Sequence, residues 1–369
     1  MPGNGIGPQI VEPTLEFVEL AGKLAGENII FHDIPIGTEA YDQTGLHLPA
    51  SSIREIELMD ANLKGPVGGL PNSEDPRYKY IEKEAVINFR KELGLDTSLR
   101  WIDTSISRVI PELSPIQTEL VQNTNIMVVR DLAGDVYNGK SGSRLSLAGR
   151  KIIRTFFEMN GYSKQQVDRT IEVGLDEADR RDDERVTLVH KTNVLQMTGG
   201  LWKRRFDKKL AEIGGDFEAD YMHVDNAVQA LVGESDEFGV IVTSNLFGDI
   251  ISDLTAKLMG SLGMGGGAEI GRKNRVYGPI HGSAPGYHWG MANPSGNMLA
   301  SARMVEDLGM PETARLMNQS VGRVLDSGNM TLDLWMKARE LKSRSFVPKW
   351  CSTEAFSALV LRELEKIAA

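Results

Sequence analysis

Val240-Ile241-Val242-Thr243-Ser244-Asn245-Leu246-Phe247-Gly248-Asp249-Ile250-Ile251-Ser252-Asp253 passes from an unbroken apolar, β-branched run into a segment with helical spacing. A strand covered on both faces needs a run of the first kind, and a short turn then feeds the helix. If the helix starts near Phe247, Asp249 and Asp253 stand at i and i+4, and both carboxylates project from one face. Like charges so placed oppose a helix by roughly a few tenths of a kcal/mol unless a cation neutralises them. Two explanations stay open at this point. Aspartates near a helix start can cap free N–H groups, or the pair can hold a divalent cation, with Asp225 of His223-Val224-Asp225-Asn226 as a third ligand. Hard carboxylate oxygens suit Mg²⁺ or Mn²⁺ and not zinc.

The same strand-then-helix grammar recurs outward from this stretch. Residues 126–129 and 186–189 are further buried-strand runs, and the alternation predicts an α/β fold. Helices are expected over 9–25 and 201–213, and over 143–160, where Leu145, Ala148, Ile152 and Phe156 fall near one helical face. The glycines of 260–271 predict a long, turn-rich stretch, with Gly263-Met264-Gly265-Gly266-Gly267 suited to close backbone approach. The mixed charges of 176–185 read as a solvated helix end and loop. No repeat and no Pro/Ser-rich linker interrupts the chain.

At 369 residues the chain supports two or three domains, and 41% hydrophobic against 25% charged residues is ordinary globular usage, which rules out wholesale disorder. Lys plus Arg is 41 against 51 Asp plus Glu, a net charge of -10, so a nucleic-acid partner is not expected. The one cysteine, Cys351, predicts a plain thiol in a reducing compartment. With neither a basic start with an apolar h-region nor a run of roughly 18 apolar residues, no membrane partner is expected and the expected location is cytoplasmic.

Gly3-Asn4-Gly5-Ile6-Gly7-Pro8 fails the dinucleotide fingerprint, because its third glycine comes one position early and no strand precedes it. Arg90, Arg100 and Arg130 are candidates to grip carboxylates in forked pairs, although nearby acids could satisfy each one separately. Tyr137 and Lys191 are candidate proton movers. Lys191 follows a strand run directly, and neighbouring cations would push a lysine toward a usable base. His281-Gly282-Ser283-Ala284-Pro285, followed by Ala292-Asn293-Pro294, is either a generic loop or a wrap for an adenine nucleotide.

Together these segments resemble the metal-dependent β-decarboxylating dehydrogenases: the 3-isopropylmalate, isocitrate, homoisocitrate and tartrate dehydrogenases. The resemblance runs from Pro2 to about Asp333 with the motifs in order: Gly3 to Pro8, Val67-Gly68-Gly69, Phe89-Arg90 through Leu99-Arg100, Val129-Arg130-Asp131, Lys191-Thr192-Asn193-Val194, Asn245 to Asp253 and the His281 loop. It implies a two-domain α/β fold without a Rossmann domain, the active site lying in the interdomain cleft. A large cofactor-binding domain would comprise 1–97 plus 262–369, and a small central domain, 98–261, would carry the interface of a homodimer. Arg90, Arg100 and Arg130 would hold the malate carboxylates. Asp249 and Asp253 would bind Mg²⁺ or Mn²⁺ with Asp225 of the neighbouring subunit. Lys191, also from the neighbour, would be the base on the C2 hydroxyl, and Tyr137 the acid that protonates the enolate. His281, Gly282, Ser283, Ala284, Pro285, Tyr287, Asn293 and Asn193 would contact the nucleotide.

Several positions refine that picture. Val86 and Ile87 precede the first arginine where other members carry polar residues, so a hydrocarbon substituent and 3-isopropylmalate are expected, with isocitrate, homoisocitrate, tartrate or malate as alternatives. Arg77 and Lys79 stand just upstream and could meet a third carboxylate. Gly278 replaces an acid common in the family, and Gly286-Tyr287-His288 replaces the usual aspartate after the loop. NAD is expected, with Tyr287 and His288 as donors to the extra phosphate if NADP is used. These departures also permit a non-catalytic regulatory subunit, although every catalytic candidate is present. The tail over 335–349 follows the family pattern poorly.

Overall fold

A computed structural model describes residues 1–70, 72–148 and 151–369. Eight strands form one mixed sheet: β1 (Asn62–Leu63), β2 (Leu95–Asp103), β3 (Asn125–Asp131), β6 (Arg185–His190), β7 (Glu218–His223), β8 (Val240–Thr243), β9 (Gly266–Gly271) and β10 (Arg275–Pro279). Their order is β1-β10-β9-β2-β3-β8-β6-β7. β3, β8, β6 and β7 run parallel, whereas β2 is antiparallel to both of its neighbours, β3 and β9. Every residue of β8 is fully buried, as are Ile126 to Val129 of β3, because helices cover both faces.

The helix Asn245–Leu258 follows β8 after a single residue and lies against β2 and β3. It begins at Asn245, two residues before the expected start. Asp249 and Asp253 are therefore beyond its first turn, and capping does not explain them. The helix Lys164–Arg180, started by a Ser163/Gln166 capping box, covers the sheet on β3 and β8. Gly7–Ala25 and Gln196–Ile213 realise the other two expected helices.

Two expectations fail. Residues 143–160 form no helix: β4 (Ser141–Ala148) and β5 (Lys151–Glu158) make an antiparallel ribbon, with Gly149 and Arg150 between them outside the described residues. Opposed residues share a face, so Leu145, Leu147, Ile152 and Phe156 form one apolar surface, each 59–78% exposed. The glycine-rich stretch is likewise not all turn, since Gly266–Gly271 is an interior strand. Close approach does hold there: a Cβ on Gly296 of the helix Ser295–Asp307 would stand 2.6 Å from the Gly265 carbonyl oxygen.

The expected domain boundary at 97/98 falls inside β2, so the sheet is continuous across it. No strand precedes Gly7–Ala25 among the described residues. Instead the Met1 ammonium donates to the Leu63 carbonyl, and Gly65 N–H donates to the Met1 carbonyl. No helix among the described residues is long and apolar enough to cross a membrane.

Candidate active site

Arg100 on β2 and Arg130 on β3 both reach the helix Asn245–Leu258, which lies against those strands. Arg130 is almost fully buried; its Nε and Nη2 donate to Asn245 Oδ1 at 2.9 and 2.7 Å, and its Nη1 donates to Asp249 Oδ1. Arg100 Nη1 lies 3.7 Å from Asp249 and 3.4 Å from Asp253, and donates to Ser252 Oγ at 2.8 Å. One guanidinium nitrogen within reach of both carboxylates is what a shared helix face requires. Tyr137 donates from its hydroxyl to the second Asp249 oxygen at 2.7 Å, and Arg130 sits over its ring. Arg100, Arg130, Tyr137, Asp249 and Asp253 thus meet within one chain.

Charge in this cluster follows from burial and pairing. Burial raises the Asp249 carboxyl, but Arg130, the Tyr137 hydroxyl and Arg100 outweigh it and leave the group below its ordinary range. Asp253, farther from Arg130, is pushed up by burial, opposed by Arg100 and assisted by Asp249. Burial and then Arg130 bring the Arg100 guanidinium down to about 10, so it stays charged at neutral pH. The Tyr137 phenol is pushed up by burial and by its bond to Asp249.

Arg90 follows a π-helical turn, Lys83–Asn88, and both Nε and Nη2 donate to Glu269 Oε1, at 3.0 and 2.6 Å. Val86 lines the same cavity, of about 200 Å³, with Arg90, Arg100, Glu269, Lys64, Gly282 and others. Ile87 does not line it and is 40% exposed. Arg77 is forked onto Asp75, and Lys79 lies over the Tyr80 ring.

Lys191 and Asp225 stand apart from this cluster. Lys191, after β6, donates to Asp225 at the start of the helix Val224–Gly233. Among the described residues no three carboxylate, histidine or cysteine side chains converge as a metal-holding group. Asn193 is exposed in the turn after Lys191.

The loop motifs do assemble. Ile6 N–H donates to the Ser283 carbonyl at 2.9 Å; a Cβ on Gly5, whose φ is +58°, would collide with that same oxygen, and one on Gly68 would press on Ser283 Oγ. Glycine at these positions lets three segments share one small volume. His281 borders the cavity with a buried Nε2 that has no hydrogen-bond partner among the described residues, and burial holds its ring toward the neutral form. Asn293 caps Ser295 N–H and donates to Asp333, which also accepts from Ser261 and Thr331. Ala284 and Tyr287 are exposed and Pro285 half-buried. Sequence reasoning missed Lys64 and Glu269, whose partners lie far away along the chain, and Asp333, which gathers donors from Ser261, Asn293 and Thr331.

A family model described as isocitrate/isopropylmalate dehydrogenase matches residues 1–349. The chain belongs to this family. Two relatives, the 3-isopropylmalate dehydrogenases of Rhodopirellula baltica and Zymomonas mobilis, are each 36% identical, the first over 99% of this chain and 98% of its own length, the second over 90% and 93%. The isocitrate dehydrogenase of Methylococcus capsulatus superposes with a TM-score of 0.80 at 27% identity, covering 98% of this chain and 97% of that one. This isocitrate/isopropylmalate dehydrogenase family member is accordingly a decarboxylating dehydrogenase, an enzyme for oxidative decarboxylation of a hydroxy acid.

Proposed function

We propose that the enzyme oxidises and decarboxylates a 3-substituted (R)-malate with NAD and Mg²⁺ or Mn²⁺, as a homodimer whose sites draw on both copies. The observation that carries this reading is Arg100 and Arg130 converging on Asp249 and Asp253 with the Tyr137 hydroxyl bound to the same carboxylate. Two carboxylates at i and i+4 on one helix face, both partly exposed, are hard oxygen donors that fit a divalent cation, which here would be held by Asp249, Asp253 and a second copy's Asp225. The unpartnered His281 Nε2, with Gly282, Ser283, Ala284, Pro285, Tyr287, Asn293 and Asn193, fits a nucleotide. When bound, the cation and the nicotinamide supply polarisation of the C2 oxygen and a hydride acceptor.

The chain's own residues then divide the work. Arg90, Arg100 and Arg130 hold and orient the carboxylates of the substrate. Lys191 of one copy takes the C2 hydroxyl proton in the site of the other. Tyr137, kept protonated by burial and Asp249, returns a proton to C3 after CO₂ leaves. A cleft divided between the discontinuous large domain and the central domain would enclose these events.

Dimerisation is supported by the β4-β5 ribbon. A lone two-stranded ribbon is marginal in water, and this one exposes four large apolar side chains on one face. The names of the two relatives make 3-isopropylmalate the reference substrate. Incubation with Mn²⁺, NAD or NADP, and isopropylmalate, isocitrate, homoisocitrate, tartrate or malate, followed by reduced-nicotinamide absorbance and CO₂ release, tests the reading. Turnover of at least one malate is expected, and silence across the panel would overturn it.

A further inference from the structure

The wall of the cavity beside Val86 is charged. Lys64, directly after β1, and Glu269, on β9, both border that cavity, with side chains only 13% and 15% exposed. Glu269 spends Oε1 on Arg90, while its Oε2 is screened from solvent and accepts nothing. The Lys64 ammonium stands 3.9 Å from that oxygen, beyond hydrogen-bond reach, and its other neighbour is the Phe89 ring at 4.7 Å, which offers no lone pair. The ammonium is thus held at ion-pair distance and over an aromatic face, but among the described residues Glu269 Oε2, screened from solvent, receives no hydrogen bond. A buried carboxylate oxygen in that condition is costly unless a donor reaches it.

The chemistry of the gap narrows its occupant to a group that both donates and accepts. A methyl group would leave Glu269 Oε2 without a donor. A carboxylate offers acceptors alone and would lie against Glu269, and an ammonium offers donors alone and would meet Lys64. A hydroxyl has one of each. Val86, on the same cavity, provides an apolar surface for the carbon that bears it.

We propose that the C3 substituent of the substrate carries a hydroxyl group, which donates to Glu269 Oε2 and accepts from Lys64 Nζ, so that Glu269 and Lys64 determine specificity. This rests on the 3-substituted malate reading above. It displaces the expectation of a plain hydrocarbon substituent that Val86 and Ile87 raised, because those two residues say nothing of the opposite wall.

A pair of substrates differing by one methyl-for-hydroxyl exchange tests it: 3-isopropylmalate and 3-(1-hydroxyethyl)malate, with Mn²⁺ and saturating nucleotide. The intact enzyme is expected to favour the hydroxylated compound in kcat/KM by about tenfold to a hundredfold. In Glu269→Gln the amide keeps an oxygen for Arg90 and turns its N–H toward the gap, so the preference should collapse to within a few fold. Lys64→Met should lower it too, and carries the test if Glu269→Gln does not fold. Because the ratio is read within each variant, a general loss of activity cancels. Parity, or preference for isopropylmalate, in the intact enzyme overturns this inference and leaves the malate reading standing. Turnover of neither compound nor of any other malate overturns both.

Discussion

Tyr137 holds its proton on a single hydrogen bond to Asp249, and burial together with that bond keeps the phenol protonated at neutral pH. Replacing it by phenylalanine removes the proton and little volume. Tyr137→Phe is expected to lower kcat by about a hundredfold or more with a much smaller change in KM, measured by steady-state kinetics; an equal kcat would remove Tyr137 from the mechanism. Asp131, the next residue after Arg130, poses a different question. It is completely buried, and burial pushes its carboxyl up to about 6 against the opposing N–H of Gly134. Between the ordinary value of 3.8 and about 6 the folded chain keeps a proton that the unfolded chain has released. Stability from this group is therefore full below that window and is lost as pH rises through it. Relative to Asp131→Asn, the native protein should lose up to roughly 3 kcal/mol between pH 4 and 7. Urea unfolding of both proteins at the two pH values checks this, and parallel curves would contradict it.

At the scale of elements, the β4-β5 ribbon is the exposed part of the fold. If a second copy covers its apolar face, Leu147→Asp with Phe156→Asp should yield a monomer by light scattering, with far-UV circular dichroism retained and activity lost. A dimer of unchanged stability would disprove that role. The ribbon also marks where sequence reading breaks down. Leu145, Ile152 and Phe156 keep helical spacing only because they fall on two successive strands of period two, and the break between the strands hides the alternation from a helical template. β9 escaped notice for the opposite reason: its glycines carry no apolar pattern, yet the missing side chain of Gly266 is what lets the helix Ser295–Asp307 lie close on the sheet there. The β8 run and the helix after it were legible because burial on both faces forces an unbroken β-branched stretch. Arg100, Arg130, Tyr137, Asp249 and Asp253 were legible as motifs. Glu269 and Lys64 were not, since each looks like an ordinary surface charge until the sheet sets it against Arg90, 179 positions from Glu269.

For the whole molecule, a site divided between copies makes a quantitative demand. Lys191→Met and Tyr137→Phe proteins would each be inactive alone, but a mixed dimer of the two would hold one doubly altered site and one unaltered site. Unfolding them together and refolding should restore activity to about a quarter of the native level, whereas residues acting within one chain would restore none. Removal of divalent cations with a chelator should abolish turnover, and Mn²⁺ should restore it and raise the melting temperature. β2 is bonded along its length to β9 on one side and to β3 on the other, so the ground under Arg90 and the ground under Asp249 are one plate. A sheet so bonded is expected to come apart cooperatively, so the structure around Arg90 and the structure around Asp249 should be lost together on heating, in a single transition by every probe.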